Sequence, residues 1–213
     1  MSDVDKLIGG FRRFQNKYFA GEGQLFETLK RGQNPSTLFI ACSDSRVDPA
    51  LVTDCDPGDI FVVRNVANLV PPYEVDGTYH GVSSAIEYAV CVLKVKQIMV
   101  LGHYGCGGIR ALVEGYEPQT DADFVGRWMR IAERARYQVL APGDNPSVRL
   151  RRCEMAAIVV SLDNLLSFPF IAERVANGEL ELAGWYFDLE QGALYQYNRD
   201  AGAFDVLVGS LST

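Results

Sequence analysis

Three residues stand out by type and spacing. Cys42 closes a short apolar run, Thr37 to Cys42, while His103 and Cys106 follow a second run, Gln97 to Leu101. Thiolate and imidazole are donors that zinc favours in tetrahedral geometry. The His103-x-x-Cys106 spacing lets a loop or first helical turn wrap one ion, and Gly102, Gly105, Gly107 and Gly108 permit the tight turns this needs. Three protein ligands leave a fourth position open, as in catalytic sites. Taken singly, Cys42 and Cys106 read equally as buried thiols and His103 as a satisfied core histidine. The metal reading rests on the three together, at the ends of two strands.

Asp44 and Arg46 sit in the loop just after Cys42. A carboxylate there could become a fourth ligand and close the site. Arg46 could instead hold it in a bidentate fork, leaving Asp44 to accept a hydrogen bond from a water and orient it. The residues alone also allow a plainer pair, with Asp44 capping the turn and Arg46 in a surface ion pair.

These ligands meet only if their strands are neighbours. Thr37–Cys42, Ile60–Val63 and Gln97–Leu101 are short apolar runs without alternation, and helical patterns separate them. Strands buried on both faces and alternating with helices form a parallel sheet, with sites beyond its carboxyl ends. His80 to Lys94 has helical spacing, with Val82, Ala85, Ile86, Ala89, Val90 and Leu93 on one side. Residues 121–176 are mainly helical, interrupted near Pro142-Gly143-Asp144 and at Pro169. Leu180–Phe187 alternates like a strand, and Gln191-Gly192 turns it back into Ala193–Tyr197 as an antiparallel edge hairpin. Ahead of the core lies a helical arm, with Asp3 as its expected cap. Gly21-Glu22-Gly23 breaks the arm, and a second helix runs from Gln24 to Lys30. The arm's apolar stripe suits its own domain and a partner subunit equally.

The expected fold is therefore α/β: a mostly parallel central sheet flanked by helices, with an N-terminal helical arm over residues 1–32 and a core over 33–213, as one domain. The chain has 213 residues, 48% of them hydrophobic and 22% charged, which is ordinary for a globular protein. Its net charge of -7 argues against nucleic-acid binding, since phosphate backbones would be repelled. No apolar stretch nears the ~18 residues needed to span a bilayer, and no secretory signal is visible; a cytoplasmic location is expected. With five cysteines and two histidines, a disulfide framework is not expected, and a three-histidine zinc site cannot be built from this chain.

Cys42-Ser43-Asp44-Ser45-Arg46, followed by Gly102-His103 and Cys106-Gly107-Gly108, resembles the β-class carbonic anhydrases. Pro57-Gly58-Asp59, Val63-Arg64-Asn65-Val66-Ala67-Asn68 and Ala85-Ile86-Glu87-Tyr88-Ala89 resemble the same family. The resemblance implies one zinc per chain on Cys42, His103 and Cys106, with Asp44 and Arg46 as a catalytic dyad and Asp44 on the metal only in a closed state. It implies a substrate pocket of Gln33, Phe61, Val66 and Tyr88. The implied reaction is reversible hydration of carbon dioxide to bicarbonate and a proton, by hydroxide made available on zinc. The implied assembly is a homodimer or dimer-based oligomer. Phe39, where a bicarbonate-inhibited subset carries Trp, together with Gln33, Pro71-Pro72-Tyr73 and Tyr88, resembles the plant-like, type I branch. A related zinc hydrolase acting on carbon disulfide or carbonyl sulfide would use the same ligands. Cys55, Cys91, Cys153 and His80 match no ligand position.

Overall fold

The apolar runs pair edge to edge. In the computed structural model, which describes residues 2–20, 24–75, 79–139 and 145–210, Thr37–Cys42 forms strand β1 and is buried from Leu38 onward. Ile60–Asn65 forms β2 and Gln97–His103 forms β3. β4 spans Glu181–Asp188, β5 Ala193–Asn198 and β6 Ala203–Val208. They make a six-stranded sheet in the order β2-β1-β3-β4-β5-β6. The first four strands of that order run parallel, and β5 and β6 add antiparallel. β1 and β3 are direct neighbours, as convergence of the ligands requires. β6 extends the expected hairpin by one strand; its residues are mostly exposed, although all but Asp205 are apolar.

The chain divides into two compact units, Met1–Asn34 and Pro35–Thr213. In the first, α1 (Asp3–Phe19) begins with a capping box. Ser2 accepts from the Asp5 N–H and Asp5 accepts from the Ser2 N–H. This corrects the expectation of Asp3 as the cap: Asp3 is already helical, and the Ser2 hydroxyl is the better placed acceptor for free first-turn N–H groups. Phe14 of α1 packs its ring on Tyr18 and on Phe26 of α2 (Gln24–Leu29). Val4, Leu7, Ile8 and Phe11 remain exposed. The expected break at Gly21–Gly23 lies outside the described residues, as does the one at Pro142–Asp144.

In the second unit, α3 (Pro49–Val52) follows β1, and α4 (Gly81–Glu87) precedes β3. The helix expected to Lys94 changes pitch. Tyr88–Val92 is a π turn in which the Leu93 N–H reaches the Tyr88 carbonyl, and Lys94 ends it in a left-handed conformation. α5 (Gly107–Glu114), α6 (Phe124–Met129) and α7 (Glu133–Val139) follow β3. α8 (Pro146–Leu165) and α9 (Pro169–Ala176) precede β4. α8 lies deep on the sheet because two facing strand positions lack a side chain. A Cβ on Gly102 or on Gly184 would come within 2.7 Å of Ile158. Leu38, Ile40, Ile98, Val100, Ile158 and Leu162 fill the core between that helix and the strands. Among the described residues no single helix is long and apolar enough to cross a membrane.

Candidate metal centre

Parallel pairing of β1 and β3 brings Ala41 level with Leu101, so Cys42 and His103 emerge at the same edge of the sheet. After His103 the Tyr104 N–H is tied to the Phe187 carbonyl on β4. Gly105 then turns through a positive φ of 69°, a conformation that favours glycine. The turn delivers Cys106 at the N-cap of α5, where its side chain makes no cap hydrogen bond. Cys42, His103 and Cys106 are all buried, and their donor atoms lie within 4.8 Å of one another.

Three features fit this trio to a metal ion. The Cys42 and Cys106 sulfurs are 4.0 Å apart, and two thiolates at ~2.3 Å from one tetrahedral ion would sit roughly 3.8 Å apart. The His103 Nδ1 faces the Tyr104 carbonyl at 3.0 Å. A carbonyl only accepts, so Nδ1 carries the hydrogen and Nε2 of the neutral ring presents a lone pair. That Nε2 is buried and has no hydrogen-bond partner, a costly state unless something else occupies it. Two sulfurs and an imidazole suit a soft or borderline divalent ion.

Without an ion, the electrostatics of the trio favour the donor form at Cys42 alone. The Cys106 S–H and the His103 ring beside Cys42 let its thiol ionise well below a free cysteine. Once one sulfur is charged, its neighbour resists ionisation, and Cys106 shifts upward. Burial alone would depress the His103 ring, but the negative charge of the neighbouring Cys42 thiolate outweighs it and the net shift is upward.

Asp44 and Arg46 form the fork and the turn at once. Arg46 Nε donates to Asp44 Oδ1 at 2.9 Å and Nη2 to Oδ2 at 2.7 Å, while the Arg46 backbone N–H also donates to Oδ1. Nη2 reaches on to the Gly105 carbonyl at 3.1 Å, linking the dyad to the His103–Cys106 loop. These bonds hold the Asp44 carboxyl well below the usual carboxylate range. Asp44 Oδ2 lies 4.0 Å from His103 Nε2. It thus borders the trio while its oxygens belong to Arg46.

The other expected site residues are spread out. Val66 opens a short 3-10 turn after β2 and packs on the first turn of α5, since a Cβ on Gly108 would come within 2.8 Å of it. With Asn65, His80, Phe124, Val125 and Trp128 it lines a cavity of about 700 Å³. Phe61 pairs with Leu38, four residues before Cys42, which places it roughly 13 Å back along the strands from the metal end at ~3.3 Å per residue. Its ring meets that of Tyr88, which is exposed on the π turn. The structure therefore joins Phe61 to Tyr88 but not to the trio of its own chain. Gln33 belongs to the first unit and is exposed.

Several supporting residues had no reading of their own. Arg64 donates to the carbonyls of Cys42 and Asp44 and pairs with Asp48, fixing the loop that carries the dyad. A charged residue ending an apolar strand was the available signal. The Trp128 indole donates to the Val66 carbonyl at 2.7 Å. Asn65 ties its amide to Leu69 in both directions, bracing a turn in which Ala67 and Asn68 have positive φ.

Residues 37–194 match the profile of a family described as carbonic anhydrase. A carbonic anhydrase from Synechocystis sp. is 38% identical over 201 residues, covering 92% of this chain and 71% of its own. The solved β-carbonic anhydrase CcaA superposes with a TM-score of 0.89 at 36% identity, over 96% of this chain and all of its own. One of two β-carbonic anhydrases from Sordaria macrospora, both described as tetrameric, has a TM-score of 0.70 at 29% identity, covering 98% of this chain and 95% of its own.

The chain belongs to the β-class carbonic anhydrases. It is a carbonate dehydratase, a lyase that hydrates carbon dioxide reversibly to bicarbonate and a proton. The matches favour this reaction over one on carbon disulfide or carbonyl sulfide. The family is one of metalloenzymes, and Cys42, His103 and Cys106 form the group that could hold the metal.

Proposed function

We propose that this carbonic anhydrase works with one zinc ion per chain, held by Cys42, His103 and Cys106. The orphaned His103 Nε2, aimed at two sulfurs spaced for a shared ion, carries this reading. When bound, zinc would lower the pKa of a water enough to make hydroxide available near neutral pH. The chain's own residues do the rest. Asp44, kept ionised by Arg46, accepts a hydrogen bond at Oδ2 and so aims the oxygen's lone pair at the carbon of carbon dioxide. Arg46 keeps that carboxylate off the fourth position. Breaking the fork would free Asp44 to take the position itself, the closed state. Val66 supplies apolar wall, which suits a nonpolar substrate and excludes competing water. The Gln33 amide donates to an oxygen of bicarbonate. Zinc analysis by native mass spectrometry tests the metal assignment: one zinc per chain is expected, lost in Cys42→Ser. Full occupancy in that variant would overturn it.

The subunits assemble as a homodimer or a dimer-based oligomer. The exposed apolar stripe on α1, the tetrameric Sordaria relative and the distance of Phe61 and Tyr88 from their own trio all support assembly. Phe61 and Tyr88 then line the pocket of a neighbouring subunit. Residues 1–213 act as one catalytic domain with its arm. It belongs to the plant-like branch and serves carbon utilisation in the cytoplasm, without nucleic-acid or membrane partners.

A further inference from the structure

α8 brings a carboxylate to the back of the metal loop. Glu154 is 2% exposed. Its Oε1 accepts the Cys106 backbone N–H at 2.9 Å, and its Oε2 accepts the Tyr186 hydroxyl at 2.8 Å. Tyr186 is fully buried on β4, opposite Gly102 in the strand register. One helical turn before Glu154, Arg151 lies over the Tyr186 ring and pairs with the buried Asp188 at 2.8 Å. Every polar atom of the Glu154 side chain is thus committed, one to the metal loop and one to the sheet.

The height of Glu154 above the loop is also fixed. Ile158 follows it by four residues, hence on the same helix face. Ile158 sits in the space left by Gly102 and Gly184, where a Cβ would approach within 2.7 Å. The two glycines set how deep α8 lies, and α8 sets where the carboxylate meets Cys106. Packing alone does not call for a carboxylate here. Burying one is costly, and an apolar side chain of similar size would fill the space more cheaply. What the carboxylate adds is an acceptor for the N–H of a residue whose own side chain is spent on the trio rather than on capping α5.

We propose that Glu154, held by Tyr186, is a positioning residue of the metal site: it fixes the main chain at Cys106 so that Sγ faces Cys42 and His103. The proposal rests on the reading of that trio as the metal site. Metal affinity, not only catalytic rate, then depends on a residue that never touches the ion. Outer partners of metal ligands typically control affinity by 10–100-fold.

The test uses the full-length protein with Zn²⁺ in chelator competition and with Co²⁺, whose thiolate charge-transfer absorption reports sulfur geometry. Cys106→Ser comes first. If it binds Zn²⁺ as tightly as the parent, the metal reading itself fails, independently of Glu154. Glu154→Leu keeps the bulk and loses the acceptor; its Zn²⁺ affinity is expected to fall by about 10–100-fold, with a weakened cobalt–thiolate band. Glu154→Gln still offers an amide oxygen to the Cys106 N–H and is expected to stay within about threefold of the parent. Should Glu154→Leu fail to fold, Tyr186→Phe, which frees the second oxygen, carries the test with an expected loss of about tenfold. Parent-like affinity and cobalt spectrum in Glu154→Leu or, failing its folding, in Tyr186→Phe would overturn the proposal, whatever the melting temperature does. A Gln variant as weak as the Leu variant would also overturn it, because charge rather than position would then be responsible.

Discussion

At the scale of single residues, the dyad carries the sharpest consequence. Asp44 has both oxygens engaged by Arg46, and the same guanidinium reaches Gly105 in the other ligand loop. A lysine offers a point charge, not a planar fork. In the proposed mechanism Asp44→Asn exchanges the anionic acceptor that orients the nucleophile for a neutral amide with one oxygen, so stopped-flow hydration rates are expected to fall by about 10²–10⁴-fold with zinc retained. Arg46→Lys should lose about tenfold or more for want of the fork. A second consequence concerns Cys153. Burial pushes its thiol up to about 12. In the folded protein it stays protonated while an unfolded chain ionises near ~8.5, so its contribution to stability is intact at neutral pH and declines as pH rises above ~8.5. Thiol-reagent titration at pH 8 should accordingly label half-buried Cys55 or Cys91 well before Cys153. The candidate ligands were legible in the sequence because each stands at or just after the end of an apolar run and is flanked by glycine or polar turn residues. Glu154 was not. Set among Arg151, Arg152 and Cys153, it looks like part of a solvated helix face, and nothing local shows that its carboxylate meets a backbone N–H 48 residues away.

At the scale of elements, the contact of α8 with the sheet decides how the site is held. Gly184 faces Ile158 at 2.7 Å and Leu162 at 3.0 Å for a Cβ it does not have. Gly184→Ala is expected to destabilise the fold by roughly 1–3 kcal/mol, a Tm drop of about 2–10 °C in calorimetry. Combined with Ile158→Ala, the loss should be smaller than the sum, since each change relieves the other. β1 and β3 were readable because burial on both faces writes them as unbroken apolar runs, and β4 because its burial alternates. β6 was missed because Asp205 splits its apolar residues into two pieces too short to mark a strand, and the strand that forms is mostly exposed. The π turn at Tyr88–Val92 was hidden for a different reason: the apolar spacing of an α-helix persists through it, and only the hydrogen bonding changes.

At the scale of the whole molecule, the proposed assembly would give a task to residues that a lone subunit leaves without one. Val4, Leu7 and Phe11 are each more than 60% exposed on α1, and Phe61 with Tyr88 lies far from the metal end of its own strands. Leu7→Glu with Phe11→Glu is expected to shift the protein to a smaller species in light scattering, and to lower hydration activity together with the shift. The resemblance named Phe61 and Tyr88 as pocket residues, but a set of residues carries no register, and only the paired strands show which end they occupy. In the proposed function, carbon dioxide is hydrated at the trio loaded with zinc. The most direct measurement is the stopped-flow hydration rate of metal-stripped enzyme as zinc is added back. The rate should rise in proportion to bound zinc, level off at one ion per chain and stay at background in Cys106→Ser. Full activity in the stripped enzyme or in that variant would rule out the trio as the zinc-dependent site.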